Sequence, residues 1–199
     1  MFTARRAAVV ALPALLVFGL TGCSLLQAQD ANDAPTGVAA CALGHTWKLD
    51  TKDIATQVSD LLKKGNVAVT SVTADGSQTL DWGIKGDVTM DTNYTLTVTV
   101  TPAADQSTVA TQIHKGKVTG KAYINSEVAI PRDWADKDFS VKTTYVVNGK
   151  ELGAKDPIPF TVATTDFDDT VGLELTCDGT TMTTHPRGSK ITQSWTRGD

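Results

Sequence analysis

Between Tyr94 and Thr101 the chain reads Tyr-Thr-Leu-Thr-Val-Thr-Val-Thr. Successive side chains of an extended backbone point to opposite faces, so Leu96, Val98 and Val100 share one side while Thr95, Thr97, Thr99 and Thr101 share the other. One face is suited to burial and the other to water, the pattern of an antiparallel sheet with a single packed side.

The same period runs through most of the chain. Leu43, His45, Trp47 and Leu49 alternate with Gly44, Thr46, Lys48 and Asp50, which predicts a half-buried strand with Trp47 inside. Strand-like runs then meet turn signals at short intervals: Val67 to Thr73 before Asp75-Gly76, Gln78 to Ile84 before Gly86-Asp87, and Val88 to Met90 before Asp91. Pro102 to Gln106 predicts a turn, and Ser107 to His114 a return strand. Lys115-Gly116 predicts another turn, and Val118 to Ile130 a further strand. Pro131-Arg132-Asp133-Trp134 reads as an interruption. Phe139 to Val147 resumes, with Phe139, Val141, Thr143, Tyr145 and Val147 on one face, and Asn148-Gly149 is a strong hairpin signal. Pro157 and Pro159 place the approach to Phe160-Thr161-Val162 at an edge or in a loop. Val171, Leu173, Leu175 and Cys177 share an inward phase before Asp178-Gly179, then Thr180 to Thr184 and Lys190 to Arg197 finish the chain.

One helix interrupts this pattern. Asp50 or Thr51 can cap a segment from about Lys52 to Lys64, in which Ile54, Val58, Leu61 and Leu62 form an apolar stripe. Lys63 and Lys64 suit its negative end, and Gly65 is the expected terminator. The fold class expected is therefore mainly β: an antiparallel meander that closes into a barrel or a partly open one, with a two-sheet sandwich as the alternative.

The N-terminus has a different character. Arg5 and Arg6 precede an apolar run from Ala7 to Leu20, which is short of the roughly 20 residues that span a bilayer and fits a signal peptide. It ends in Leu20-Thr21-Gly22-Cys23, which resembles the lipobox of bacterial lipoproteins. That resemblance implies cleavage before Cys23 and diacylation of its thiol, with the protein held on the extracytoplasmic face of the cell membrane. Two acyl chains or more meet the requirement for stable anchoring. Residues 1–22 are then a signal peptide, 23–40 a flexible tether reaching on the order of 20–25 Å, and 41–197 a single β domain.

With Cys23 assigned to lipid by that resemblance, Cys41 and Cys177 remain as a pair for one disulfide in an exported protein. Such a bridge would set the first strand beside a late one, as at the seam of a barrel. A second resemblance covers roughly residues 41–197: Gly44-His45-Thr46-Trp47, Thr176-Cys177-Asp178-Gly179 and Trp195-Thr196-Arg197 are similar to segments of lipocalin-like lipoproteins of actinobacteria.

Composition narrows the chemistry. The formal charge of −4 becomes about −6 when Arg5 and Arg6 leave with the leader, and no basic stripe exists to displace counterions, so a nucleic-acid partner is not expected. The three histidines, His45, His114 and His185, are far apart, with no close-spaced pair to start a zinc site. Asp166-Phe167-Asp168-Asp169 offers hard oxygens without the spacing of a calcium loop and reads as a solvated acidic turn. No Gly-x-Ser-x-Gly elbow is present, and no cofactor or metal motif is found. His185-Pro186-Arg187-Gly188-Ser189-Lys190 is the most basic turn, suited to an anionic head group or wall polymer if it is more than a polar hairpin loop. Among the four tryptophans, Trp47 is expected in the core, and Trp134, next to Arg132, is the candidate for the rim of a ligand site.

The function expected is non-enzymatic: a lipid-anchored protein that holds a lipophilic small molecule or a lipid inside a barrel. The alternative is a cell-envelope interaction or structural module with a packed interior, docking a cell-wall component or a protein partner. A hydrolase built on dispersed carboxylates is the remaining reading.

Overall fold

The computed structural model describes residues 34–162 and 172–198, so Cys23 and the acidic stretch at 166–169 lie outside the described residues. Residues from Ala34 onward form one compact unit. It starts with a short helix, α1 (Gly37–Ala42), just ahead of the expected start of order. After it come β1 (His45–Leu49), helix α2 (Thr51–Lys64), β2 (Val69–Trp82), β3 (Asp87–Ala103), β4 (Gln106–Asn125), β5 (Val128–Ala135), β6 (Ser140–Val147), β7 (Lys150–Glu151), β8 (Leu173–Asp178), β9 (Thr181–Pro186) and β10 (Gln193–Arg197).

All strand pairings are antiparallel, in the order β3-β2-β1-β10-β9-β8-β5-β4-β6-β7, and a further β3–β4 pairing joins the sheet back on itself. Eight strands therefore close a hydrogen-bonded ring, while β6 and β7 lie outside it. Among the described residues the ring's shortest pairing is β5–β8, with Val128↔Glu174 and Ala129↔Leu173 in register and the Leu175 amide donating to the Glu127 carbonyl at 2.6 Å.

The long strands do two jobs. β1 pairs with β2 only at the Thr79 to Trp82 end, and β5 pairs with the Thr119 to Asn125 end of β4. The other ends of β2, β3 and β4 continue beyond the ring, and β6 adds to β4 from Thr108 to Lys115. We call this extension, with β7 at its edge, the wing.

Several expected turns are instead points inside strands. Asp75-Gly76 lies within an unbroken β2–β3 register from Ser71↔Thr99 to Trp82↔Val88, and Asp91 lies within β3. Lys115-Gly116 sits in the middle of β4. Both glycines have positive φ, 107° and 123°, and both lie where backbones crowd: a Cβ on Gly76 would run into Asn93 and Tyr94, and one on Gly116 into Asp138 and Phe139. These glycines allow close approach of chains without ending a strand. Likewise Pro131 to Trp134 lies inside β5, where the register against β4 shifts between Thr119↔Ala135 and Lys121↔Arg132, and Asp133 takes φ 53°. Phe160 to Val162 is irregular backbone, as the loop expectation for the preceding prolines allows.

The helix begins as its sequence predicts. Asp50 accepts from the Lys52 and Asp53 amides at 3.0 and 3.1 Å, satisfying two of the orphan donors of the first turn. Ile54, Ala55, Val58 and Leu62 are buried against the sheet. The far end differs in detail: Gly65 keeps a negative φ and Asn66 takes the left-handed conformation at 60°. Gln57 ties the helix to the approach of β10, donating to the Thr192 carbonyl at 2.7 Å and accepting from its amide at 2.9 Å.

The ring is filled by its own side chains. Trp47, Trp82 and Trp195 are 0%, 1% and 2% exposed and share the core with Leu80, Leu175, Met182 and Ile191. Trp47 donates to the Ala42 carbonyl at 2.9 Å, so the end of α1 serves as its polar partner, and Trp195 donates to Thr184 at 3.0 Å. The Cys41–Cys177 disulfide fixes α1 to β8. Arg197 stacks on Trp47, 5.4 Å from the ring centroid, and donates to the Cys41 carbonyl at 3.3 Å.

Candidate functional site

The inner face changes chemistry where the ring passes into the wing. Across β2, β3, β4 and β6 the inward positions become Gln78, Thr92, Tyr94, Gln112, His114 and Thr143, most of them buried. Beyond them the face turns apolar again at Leu96, Val98, Val100 and Ala110. This polar belt therefore lies between two apolar regions.

The register brings the belt together. Gln78 faces Thr92, Tyr94 faces His114, and Gln112 faces Thr143. His114 is 2% exposed; its Nε2 lies 2.7 Å from Gln112 Oε1, and its ring stacks on Tyr94 with centroids 4.3 Å apart and planes 10° apart. Gln112 Nε2 donates to Thr143 Oγ1 at 3.2 Å. Gln78 Nε2 donates to Thr92 Oγ1 at 2.9 Å and to Met90 Sδ at 3.0 Å, while its Oε1 is buried with no hydrogen-bond partner. A buried amide oxygen left without a donor costs roughly 1–3 kcal/mol, so its retention calls for an explanation.

The opposite phase of the same strand hides this site from sequence reasoning. On β4, Gln112 and His114 are buried while Ile113 between them is 40% exposed. Polarity alone would place Ile113 inside. The phase is set by the long β3–β4 register, in which Tyr94, Leu96 and Val98 carry the inward face.

Beside the belt, Tyr145 on β6 donates to the Phe160 carbonyl at 2.8 Å, and its ring meets Phe160 edge to face. Val162 is buried nearby in the core. Burial pushes the Tyr145 phenol above its usual value, and the hydrogen bond with the Val162 backbone partly offsets this.

The two rim candidates are separated. Arg132 is exposed and faces Lys121 across the β4–β5 pair. Trp134, after the bulge, is half-buried and packs against the core, its ring in the space that a Cβ on Gly120 would enter. His45 lies edge-on to Trp47. His185 Nδ1 lies 3.1 Å from Thr192 Oγ1, and no carboxylate among the described residues is hydrogen-bonded to that ring to orient it as a base. Among the described residues no three His, Cys, Asp or Glu side chains converge as metal ligands, and no helix is long and apolar enough to cross a membrane.

No protein-family model, curated protein or solved structure matches the chain.

Proposed function

We propose that the chain is a lipid-anchored, extracytoplasmic binding protein without catalytic activity, and that it holds a small amphiphilic ligand on the inner face of the wing. The observation that carries this reading is the buried Gln78 Oε1 without a donor, inside a belt of amide, hydroxyl and imidazole groups flanked by apolar side chains. Ligand sites are mostly apolar with a few placed polar groups. A ligand hydroxyl or N–H would satisfy Gln78, and its hydrocarbon part would lie along Leu96, Val98 and Val100. The packed tryptophans of the ring support a site on the wing, away from the ring's centre. Anchoring rests on Leu20-Thr21-Gly22-Cys23, which resembles a lipobox, and attaches the protein through Cys23 to the outer face of the cell membrane.

Native mass spectrometry of the protein purified from membranes of its own host tests the reading. A stoichiometric lipid or lipophilic metabolite carrying a hydrogen-bond donor is expected. Protein with no non-covalent mass beyond its own acyl anchor would contradict it and favour the second reading, an envelope module that docks a wall component or protein partner. That reading is supported by the adjacent exposed Tyr123 and Ile130, which face each other across β4 and β5.

A further inference from the structure

Beside the β5–β8 seam the outer surface carries a groove of about 440 Å³, within the range of small-ligand sites. Val128, Ile130 and Pro131 form an apolar wall, Asn125 and Ser126 add an amide and a hydroxyl at the β4–β5 turn, and Arg187 supplies a cation. Arg187 belongs to the basic turn between β9 and β10, in a domain that is otherwise acidic.

We propose that this groove binds a small anionic amphiphile, a carboxylate on a short hydrocarbon body, with the carboxylate on the Arg187 guanidinium and the hydrocarbon on Val128, Ile130 and Pro131. The site is independent of the inner belt. Among the described residues the carboxylate paired with the Arg187 guanidinium, that of Glu174, lies at 3.8 Å, outside hydrogen-bond range, and both side chains are 58% exposed. Such a surface pair contributes about 0–1 kcal/mol, whereas a guanidinium can hold a ligand carboxylate through two parallel charge-assisted bonds.

The surrounding backbone keeps the groove open. The Arg187 amide donates to the Gly172 carbonyl at 3.2 Å, which holds the turn against the start of β8. A Cβ on Gly172 would lie 3.0 Å from Val128 Cγ1 and 4.0 Å from Arg187 Nε, so the missing side chain leaves room between the apolar wall and the cation.

The test is a titration of 15N-labelled Ala34 to Asp199, which contains the whole described core and both bridged cysteines, with octanoate, octanol and octylamine. Octanoate should saturably shift the amides of Ser126, Val128, Gly172 and Arg187, and octylamine should not. Arg187→Gln should weaken octanoate binding about tenfold, as expected for loss of a charge-assisted contact. Glu174→Gln should tighten it by roughly twofold, because a competing surface carboxylate is removed. The spectrum of each variant reports whether it is folded. Equal binding of octanol and octanoate, an unchanged affinity in Arg187→Gln, or shifts confined to the Gln78 and His114 belt would overturn the proposal.

Discussion

The ring and the wing are built from the same three long strands, yet their inner faces differ in chemistry. In the ring, eight strands enclose one another's inward side chains, and the interior is filled by three tryptophans with aliphatic neighbours and one buried polar pair, in which Thr184 donates to Gln193 at 2.9 Å. In the wing, β2, β3, β4 and β6 present one inward face with no opposing sheet among the described residues, and that face carries Gln78, Thr92, Gln112 and His114. In both regions the inner strands have their backbone paired on either side, so the difference lies in the side chains: the ring's polar pair bonds within itself, whereas Gln78 Oε1 in the wing has no donor. Keeping polar side chains on a buried face costs stability, which is the basis of the proposed binding role.

The largest expected effect comes from the ring. Trp47→Ala should lose about 3–5 kcal/mol in urea unfolding, through lost burial and the cavity left behind. A loss below about 1 kcal/mol would mean that the ring is loosely packed. Removing the bridge by Cys41→Ser with Cys177→Ser should cost about 2–5 kcal/mol, because it closes a long loop across a separation of 136 residues. Amide exchange should then rise first in α1, since the bridge joins that helix to β8.

The wing should respond in the opposite direction. Replacing both partners with apolar residues of similar shape, Gln78→Leu with Thr92→Val, should leave stability unchanged or raise it by up to about 1 kcal/mol. A loss above about 2 kcal/mol would make the belt a structural network and erase the contrast between the regions.

The smallest effect is a pH dependence at Tyr145. Its raised value means that the folded state holds the phenolic proton more tightly than the unfolded state does. The contribution is fully present below the ordinary phenol value of about 10 and is lost as pH rises through the folded value. Subtracting the pH profile of Tyr145→Phe from that of the wild type should show this loss only above about pH 10. A difference appearing near neutral pH would contradict it.

Much of this architecture is legible in the sequence. Alternation in Tyr94 to Thr101, the cap and stripe of α2, and the Asn148-Gly149 and Asp178-Gly179 hairpins each depend on neighbours within a few residues, and each lies where expected. Gly76 and Gly116 were legible as special positions but not as what they are, because a turn and a close approach of two chains both select glycine. Trp134 follows the same logic: the one-sided bulge at Asp133 turns it toward the core, and no local pattern specifies a bulge. The belt was illegible because its phase on β4 is fixed by pairing with β3, against the polarity of Ile113. Where Arg187 lies relative to Val128 depends on strands far apart in sequence.

The contrast between a filled ring and a wing proposed to bind is tested most directly by purifying the wild type and the Gln78→Leu, Thr92→Val variant from membranes of the native host and comparing non-covalent ligand occupancy by native mass spectrometry with urea stability. A bound mass on the wild type that is absent from an equally stable variant is the predicted result. Both proteins empty, or both carrying the same mass, would contradict the account.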